Sequence, residues 1–457
     1  MVKMKNLKKH PPSVMPIWHS LRLPRINMRC SGGPPRQLLR SSAVAIIAAV
    51  LGSGFDGNGA SLRAQPRTWE GLPNVGMGGG LAVYWNIEDG TKGENERAAH
   101  EHGFLPLTIL GTYADYPGNQ KEHIGTFLGK KNPNPWNKPP YFERIIRRNI
   151  AGQPSSGTYV QDIEIDFEED LAKVYADPAN KAASGAKDLH AFEVAYYKEW
   201  ASWYALPLKW TKEQYPGTKV GLYGAQPFRS DFWGISGKNA QQIDGSHQED
   251  WRLWQSIEPF ADFYVVSTYA YYADPATVFY MAANIEENYK RTRALSDKPV
   301  YAYQWLRYHD GNWREGNREV DPYIVEAMAV VPYFSGAKAI VLWGFEPKLK
   351  PGMGLPYGNL PLYLANLARV VPLSDMIGKG TLVFDEPASA LWNAKRPLVR
   401  RVIVSPAECV AMAVNPWQAD DAHSTVSVAC GERTVEVALE GRHTALVHID
   451  GERVERR

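Results

Sequence analysis

The segment Tyr159–Asp170, "YVQDIEIDFEED", sets acids at alternate positions: Asp162, Glu164, Asp166 and Glu168 interleave with Ile163, Ile165 and Phe167. In an extended chain, residues two apart point to the same side. The period therefore predicts a strand with one carboxylate face and one apolar face. Four carboxylates on one face are costly to enclose unless they are paired, protonated or used. A solvated sheet edge, a metal site and a catalytic acid pair are the three readings. A metal needs several oxygen or imidazole ligands brought together. No other strand end supplies a His, and no D-x-D-x-D-G loop is present, so the sequence predicts no metal and no cofactor. A solvated edge requires an edge strand, which this strand is not if the sheet closes on itself. In a catalytic pair, the inner acid raises the pKa of the outer by like-charge repulsion. The neutral outer acid then protonates a leaving-group oxygen, as in glycoside hydrolysis. A second carboxylate across the cleft is Glu346, the one strand-end candidate; otherwise the substrate's own acetamido oxygen attacks, as for N-acetylhexosamines.

The elements that must hold such a pair are legible from Leu81 to Pro347. Apolar strands are predicted at "LAVYWN", "LPLTILGTY", "YVQDIEIDFE", "KVGLYG", "DFYVVSTY", "PVYAYQWLRY" and "AIVLWGFEP". Longer amphipathic stretches such as His190–Tyr215 and Pro275–Leu295 separate several of them. Strand and helix in succession argue for parallel pairing through right-handed crossovers. The expected fold is an α/β barrel of the TIM type with seven strands, and no Gly-rich phosphate loop supports the open-sheet alternative. Active sites in such barrels form at the carboxyl ends of the strands. Those ends carry Asn86, Asp166, Glu168, Tyr223, Tyr269, Gln304, Arg307, Trp343 and Glu346. After about Gly378, short strands at close spacing predict an antiparallel β domain. Its "AVNPWQADD" (Ala413–Asp421) offers one exposed-looking Trp for glycan binding, with support of the barrel as the plainer role.

The first 65 residues hold ten Lys/Arg and one acid, then the apolar run Ala43–Leu51 and a small, polar stretch. That order predicts a secretory signal peptide and leader over 1–65, with cleavage near Ala60 or Ala64. A retained membrane anchor is the alternative. The boundaries that follow are 66–377 for the barrel and 378–457 for the β domain. Without the first 64 residues, 41 basic side chains face 48 acidic ones, a net charge of −7. No broad nucleic-acid binding is expected of such a surface. Of three cysteines, Cys30 falls in the leader, and Cys409 and Cys430 are candidates to pair in an oxidising compartment. The protein is expected to be secreted or periplasmic and monomeric, with no stable membrane insertion once the leader is cut. Its 15 Trp and 24 Tyr suit a cleft that holds sugars, although a large core also absorbs such rings.

The run "IDFEED" resembles the I-D-[FW]-E motif of animal and venom hyaluronidases. In the same order, "VYWN", "NPWNKPPYF", "GLYG", "EDWRLWQSIEPFADFYV", "YAYQW" and "GAKAIVLWGFE" are similar to that family's segments. The resemblance implies a distorted seven-stranded barrel and retaining, substrate-assisted hydrolysis of a hyaluronan-like, N-acetylhexosamine-containing polysaccharide. It implies Glu168 as general acid/base and Asp166 as the residue that holds the acetamido group. Tyr223, Tyr264 and Trp343 would line the acetamido pocket, with Tyr303 alongside. Gln304, Arg307 and Glu346 complete the expected binding residues, Arg307, Arg314 and Arg229 as cations for a polyanion. The chain departs from the family in its missing cysteines, in the β domain and at Glu164, where the family has an apolar residue. The D-x-D-x-E strand of chitinase-type barrels shares that acidic spacing. A chitin- or peptidoglycan-directed glycosidase and a non-catalytic carbohydrate-binding barrel are the alternatives.

Overall fold

The computed structural model describes residues 68–110, 134–165, 167–225, 235 and 237–457. The expected leader, Asp166 and Arg229 lie outside the described residues. Eight parallel strands form one sheet: β1 (Ala82–Asp89), β2 (Leu105–Pro106), β3 (Thr108–Leu110), β4 (Thr158–Asp162), β5 (Lys219–Tyr223), β6 (Phe263–Ser267), β7 (Val300–Gln304) and β8 (Ala337–Glu346). Their order is β2-β1-β8-β7-β6-β5-β4-β3. The strand count exceeds the expected seven by one, because the run Leu105–Leu110 divides at Leu107. Its first part pairs with β1 and its second with β4, so that one short run joins both ends of the sheet and closes a TIM-like ring.

Helices cover the outside. The longest, Leu189–Gln214, turns Phe192, Tyr196, Trp200 and Trp203 to the sheet at three- and four-residue spacing, all fully buried. Asp188 starts it by accepting the Ala191 N–H at 2.8 Å. Burying each of these rings stabilises the layer by roughly 1.5–3 kcal/mol. Inside the ring, the missing side chain of Gly221 makes room for Phe263, whose ring a Cβ there would meet at 2.1 Å. Phe263 stacks on Tyr301 with centroids 4.1 Å apart, and Tyr84 stacks on Tyr301 from the other side of the ring's interior. This aromatic plug fills the barrel below the mouth. Among the described residues no helix is long and apolar enough to cross a membrane.

The carboxyl-terminal region is antiparallel, as its strand spacing predicts. A five-stranded sheet, β9 (Thr381–Val383), β10 (Leu398–Ser405), β11 (Glu408–Val414), β14 (Ala445–Asp450) and β15 (Arg453–Arg456), has the order β15-β14-β11-β10-β9. A hairpin, β12 (His423–Cys430) with β13 (Arg433–Glu440), packs against it. The disulfide Cys409–Cys430 ties β11 to the end of β12, with Cα atoms 5.9 Å apart. Strand β11 is buried on both faces. Cys409, Ala411 and Ala413 face the hairpin, whereas Val410, Met412 and Val414 join the core of the barrel. Trp417 is not an exposed platform: it stacks on Phe279 of the barrel with centroids 5.3 Å apart. Arg400 of β10 reaches Glu286 of the helix Ala276–Leu295 at 2.6 Å, both fully buried.

Candidate active site

Strand β4 keeps its parallel ladder with β5 only as far as Asp162, which pairs with Tyr223. One more bond follows, from the Ile163 N–H to the Tyr223 carbonyl at 3.1 Å. The expected ten-residue strand is therefore half as long. Gly224 sets the limit: its φ of +94° turns β5 away, and a Cβ there would lie 2.0 Å from the Ile163 oxygen. Past Ile163 the chain leaves the sheet, so strand periodicity cannot carry the face of Asp162 out to Glu168. The apolar side does behave as predicted: Ile163 and Phe167 are buried, and Phe167 stacks on Trp200 at 5.4 Å.

Inside the mouth, the structure gathers Asp162 and Glu164 with Tyr223, Tyr269 and Tyr303. The Tyr223 and Tyr303 rings lie 5.2 Å apart and those of Tyr223 and Tyr269 6.3 Å. Tyr223 donates to the Ser267 hydroxyl at 3.4 Å. The buried Tyr303 hydroxyl has no hydrogen-bond partner among the described residues. Above them, Trp343 packs 5.7 Å from Tyr269 and 5.0 Å from Trp305. His309 lies 5.4 Å from Tyr269 and stacks on Tyr271 at 4.5 Å. Aromatic faces thus surround two neighbouring carboxyls.

The electrostatics of that bowl favour protonated acids. Burial, then the neighbouring charge of Glu164, pushes the Asp162 carboxyl up to about 7. Burial raises Glu164 as well, although it keeps contact with the water of the mouth. Burial and the charges of the two acids push the Tyr223 and Tyr269 hydroxyls well above their ordinary value, so the phenols stay neutral donors. Burial, then the charge of Asp162, does the same to Tyr303.

Glu168 stands beyond the end of β4, on the stretch that has left the sheet. Its carboxylate takes the Lys173 ammonium at 2.6 Å and the Asp170 N–H at 3.2 Å, and its carbonyl accepts the Tyr196 hydroxyl at 2.8 Å. Of the expected binding residues, Tyr223, Tyr303 and Trp343 line the mouth. Tyr264 and Gln304 do not, because their strand positions have the opposite parity and face the helices. Tyr264 is fully buried with its ring 5.1 Å from Trp254. Gln304 donates to the Met328 carbonyl at 2.8 Å and accepts the Tyr363 hydroxyl at 2.9 Å. Arg307 and Glu346 bind each other at 2.6 Å, and Arg307 also donates to the Asn317 carbonyl. Their charges cancel, so neither presents the free cation or free carboxylate that the sequence suggested.

The acidic segment offers two copies of one signal. D-x-E occurs there twice, as Asp162-Ile163-Glu164 and as Asp166-Phe167-Glu168. The resemblance selects the second copy; the ladder ends on the first. Trp305 was also within reach, since it continues the inward parity of Tyr301 and Tyr303. His309 and Tyr271 lie in irregular segments, where periodicity gives no signal.

No family model and no curated protein matches the chain. Solved structures similar to it are glycoside hydrolases. Bee venom hyaluronidase in complex with a hyaluronic acid tetramer is 16% identical over 58% of this chain and 90% of its own, with a TM-score of 0.40. An endo-β1,6-glucanase is 10% identical, with 84% and 93% covered and a TM-score of 0.35. An α-amylase from Geobacillus thermoleovorans, complexed with acarbose, is 10% identical, with 82% and 100% covered and a TM-score of 0.35. At these identities and scores the likeness says nothing about chemistry, which has to come from the residues of the mouth.

Proposed function

We propose that this chain is a secreted or periplasmic, monomeric glycoside hydrolase that cleaves a hyaluronan-like, N-acetylhexosamine-containing polysaccharide with retention. The observation that carries the proposal is the pair Asp162 and Glu164, set beside Tyr223, Tyr269 and Tyr303 where β4 ends at the carboxyl side of the barrel. Glu164, raised by burial and open to the mouth, protonates the glycosidic oxygen as the bond to the anomeric carbon breaks. The acetamido carbonyl oxygen of the same sugar attacks that carbon from the opposite face. Asp162, two residues earlier, accepts the acetamido N–H and steadies the positive charge of the cyclic intermediate. Glu164, now a carboxylate, takes a proton from water, which opens the ring with net retention. Tyr223, Tyr303 and Trp343 enclose the acetamido group.

A second reading keeps the same reaction with Asp166 and Glu168 in those roles. It is favoured by the I-D-F-E context and by the anchoring of the Glu168 backbone on Tyr196. Separate substitutions distinguish the two. Glu164→Gln is expected to lower reducing-end release by about 10²–10⁴-fold while leaving the fold intact, and Glu168→Gln to stay within about tenfold of wild type. The reverse pattern transfers the role to Glu168. Full activity in both variants, or no cleavage of hyaluronan, chondroitin, chitin or peptidoglycan by the wild type, overturns the glycosidase reading.

A further inference from the structure

The loop between β7 and the helix Pro322–Phe334 carries an unexplained residue. Trp313 is 81% exposed, the most exposed of the large apolar side chains among the described residues. Leaving an indole in water forgoes roughly 1.5–3 kcal/mol of burial, so folding alone does not account for it. The loop that presents it is firmly tied. The His309 N–H donates to the Ala270 carbonyl at 2.8 Å and the Tyr308 N–H to the Arg318 carbonyl at 2.9 Å. Asn312 donates to the Tyr271 carbonyl at 2.6 Å, and its side-chain oxygen accepts the Arg314 N–H at 3.2 Å. Arg318 clamps the return of the loop through Glu315 and Asp321.

The root of the loop is the mouth itself. His309 stacks on Tyr271 and borders Tyr269, and Trp313 follows four residues later, within a reach of at most about 14 Å. The Arg314 guanidinium lies 5.7 Å from the centre of the Trp313 ring. A flat apolar face beside a cation matches one ligand chemistry, a pyranose ring bearing a carboxylate. We infer that Trp313 and Arg314 form a distal subsite that holds a uronic acid residue of the polysaccharide after it leaves the mouth. The inference rests on the glycosidase reading and adds the acidic sugar and its position.

The test is calorimetric titration of the full chain with hyaluronan tetrasaccharide and decasaccharide and with a neutral chitooligosaccharide. Trp313→Ala, a substitution at an exposed position that leaves the fold intact, is expected to weaken decasaccharide binding about tenfold and leave the tetrasaccharide unchanged. Arg314→Gln is expected to weaken the hyaluronan decasaccharide about threefold or more and leave the chitooligosaccharide unchanged. Unchanged decasaccharide affinity in Trp313→Ala, with the wild type binding normally, overturns the subsite alone. An equal loss for the neutral and acidic glycans in Arg314→Gln overturns the acidic sugar. A wild type that binds none of the three overturns the subsite together with the reading beneath it.

Discussion

Among the described residues, the carboxyls at the junction of barrel and β domain and those at the mouth are screened from water by opposite means. At the junction of barrel and β domain, Glu286 is fully buried against Arg400, which donates Nε at 2.7 Å, and it accepts the Ala388 N–H at 2.9 Å. Burial pushes the Glu286 carboxyl up, opposed by Arg400, by that backbone donor and by Lys290. At the mouth, the two causes acting on Asp162, burial and the charge of Glu164, both push upward. The first arrangement satisfies a charge and locks two layers together. The second leaves two neighbouring carboxyls without a charge partner and makes it harder for both to ionise at once. The two sites differ in what faces the carboxyl: an opposite charge that ties layers together, or a like charge among neutral phenols, the arrangement expected of a reactive site.

The largest effect expected of this contrast comes from breaking the junction. Arg400→Met leaves Glu286 buried without its charge partner, with only the Ala388 N–H still donating to it, and should cost about 3–5 kcal/mol in urea denaturation. A loss under about 1 kcal/mol would mean that the ion pair does not hold the layers. At the mouth the sign reverses: Asp162→Asn removes a like charge and should gain about 0.5–2 kcal/mol at pH 7.5 while lowering turnover. The wild-type pH dependence checks the cause. Asp162 keeps its proton to about pH 7 in the fold and releases it near 3.8 when unfolded. Its contribution to stability is thus complete below about 3.8 and lost as pH rises through 7. Denaturation midpoints measured from pH 4 to 7.5 should fall more steeply in the wild type than in Asp162→Asn; parallel curves would refute the assignment. The smallest effect is expected beside the junction, at the half-exposed pair Arg396 and Glu386. Arg396→Gln should leave the denaturation midpoint unchanged within error, and a clear drop would give the surface pair a role it is not expected to have.

The barrel was legible because its strands are short apolar runs separated by amphipathic helices, and both periods survive in the sequence. Cys409 and Cys430 were likewise readable as a pair. Within the site, Tyr223, Tyr303 and Trp343 were named by the family resemblance, and the structure places them at the mouth. Tyr264 and Gln304 were misplaced because a residue near a strand end can face either layer. Parity against a known inward neighbour, such as Tyr303 beside Gln304, decides it. The length of β4 was not legible, since the acid–apolar alternation runs on after its hydrogen-bond partner turns away at Gly224. The cancellation of Arg307 by Glu346 depends on two strands meeting 39 residues apart, which no local pattern records.

The double-sided burial of β11 has a consequence for synthesis. A ribosome that has finished the barrel still lacks Val410, Met412 and Val414, which complete one part of its core. Until those residues emerge, the helix Pro322–Phe334, apolar over nearly its whole surface, has no cover on that side. The last strands supply a wall of the barrel's own core, so the β domain is no removable appendage.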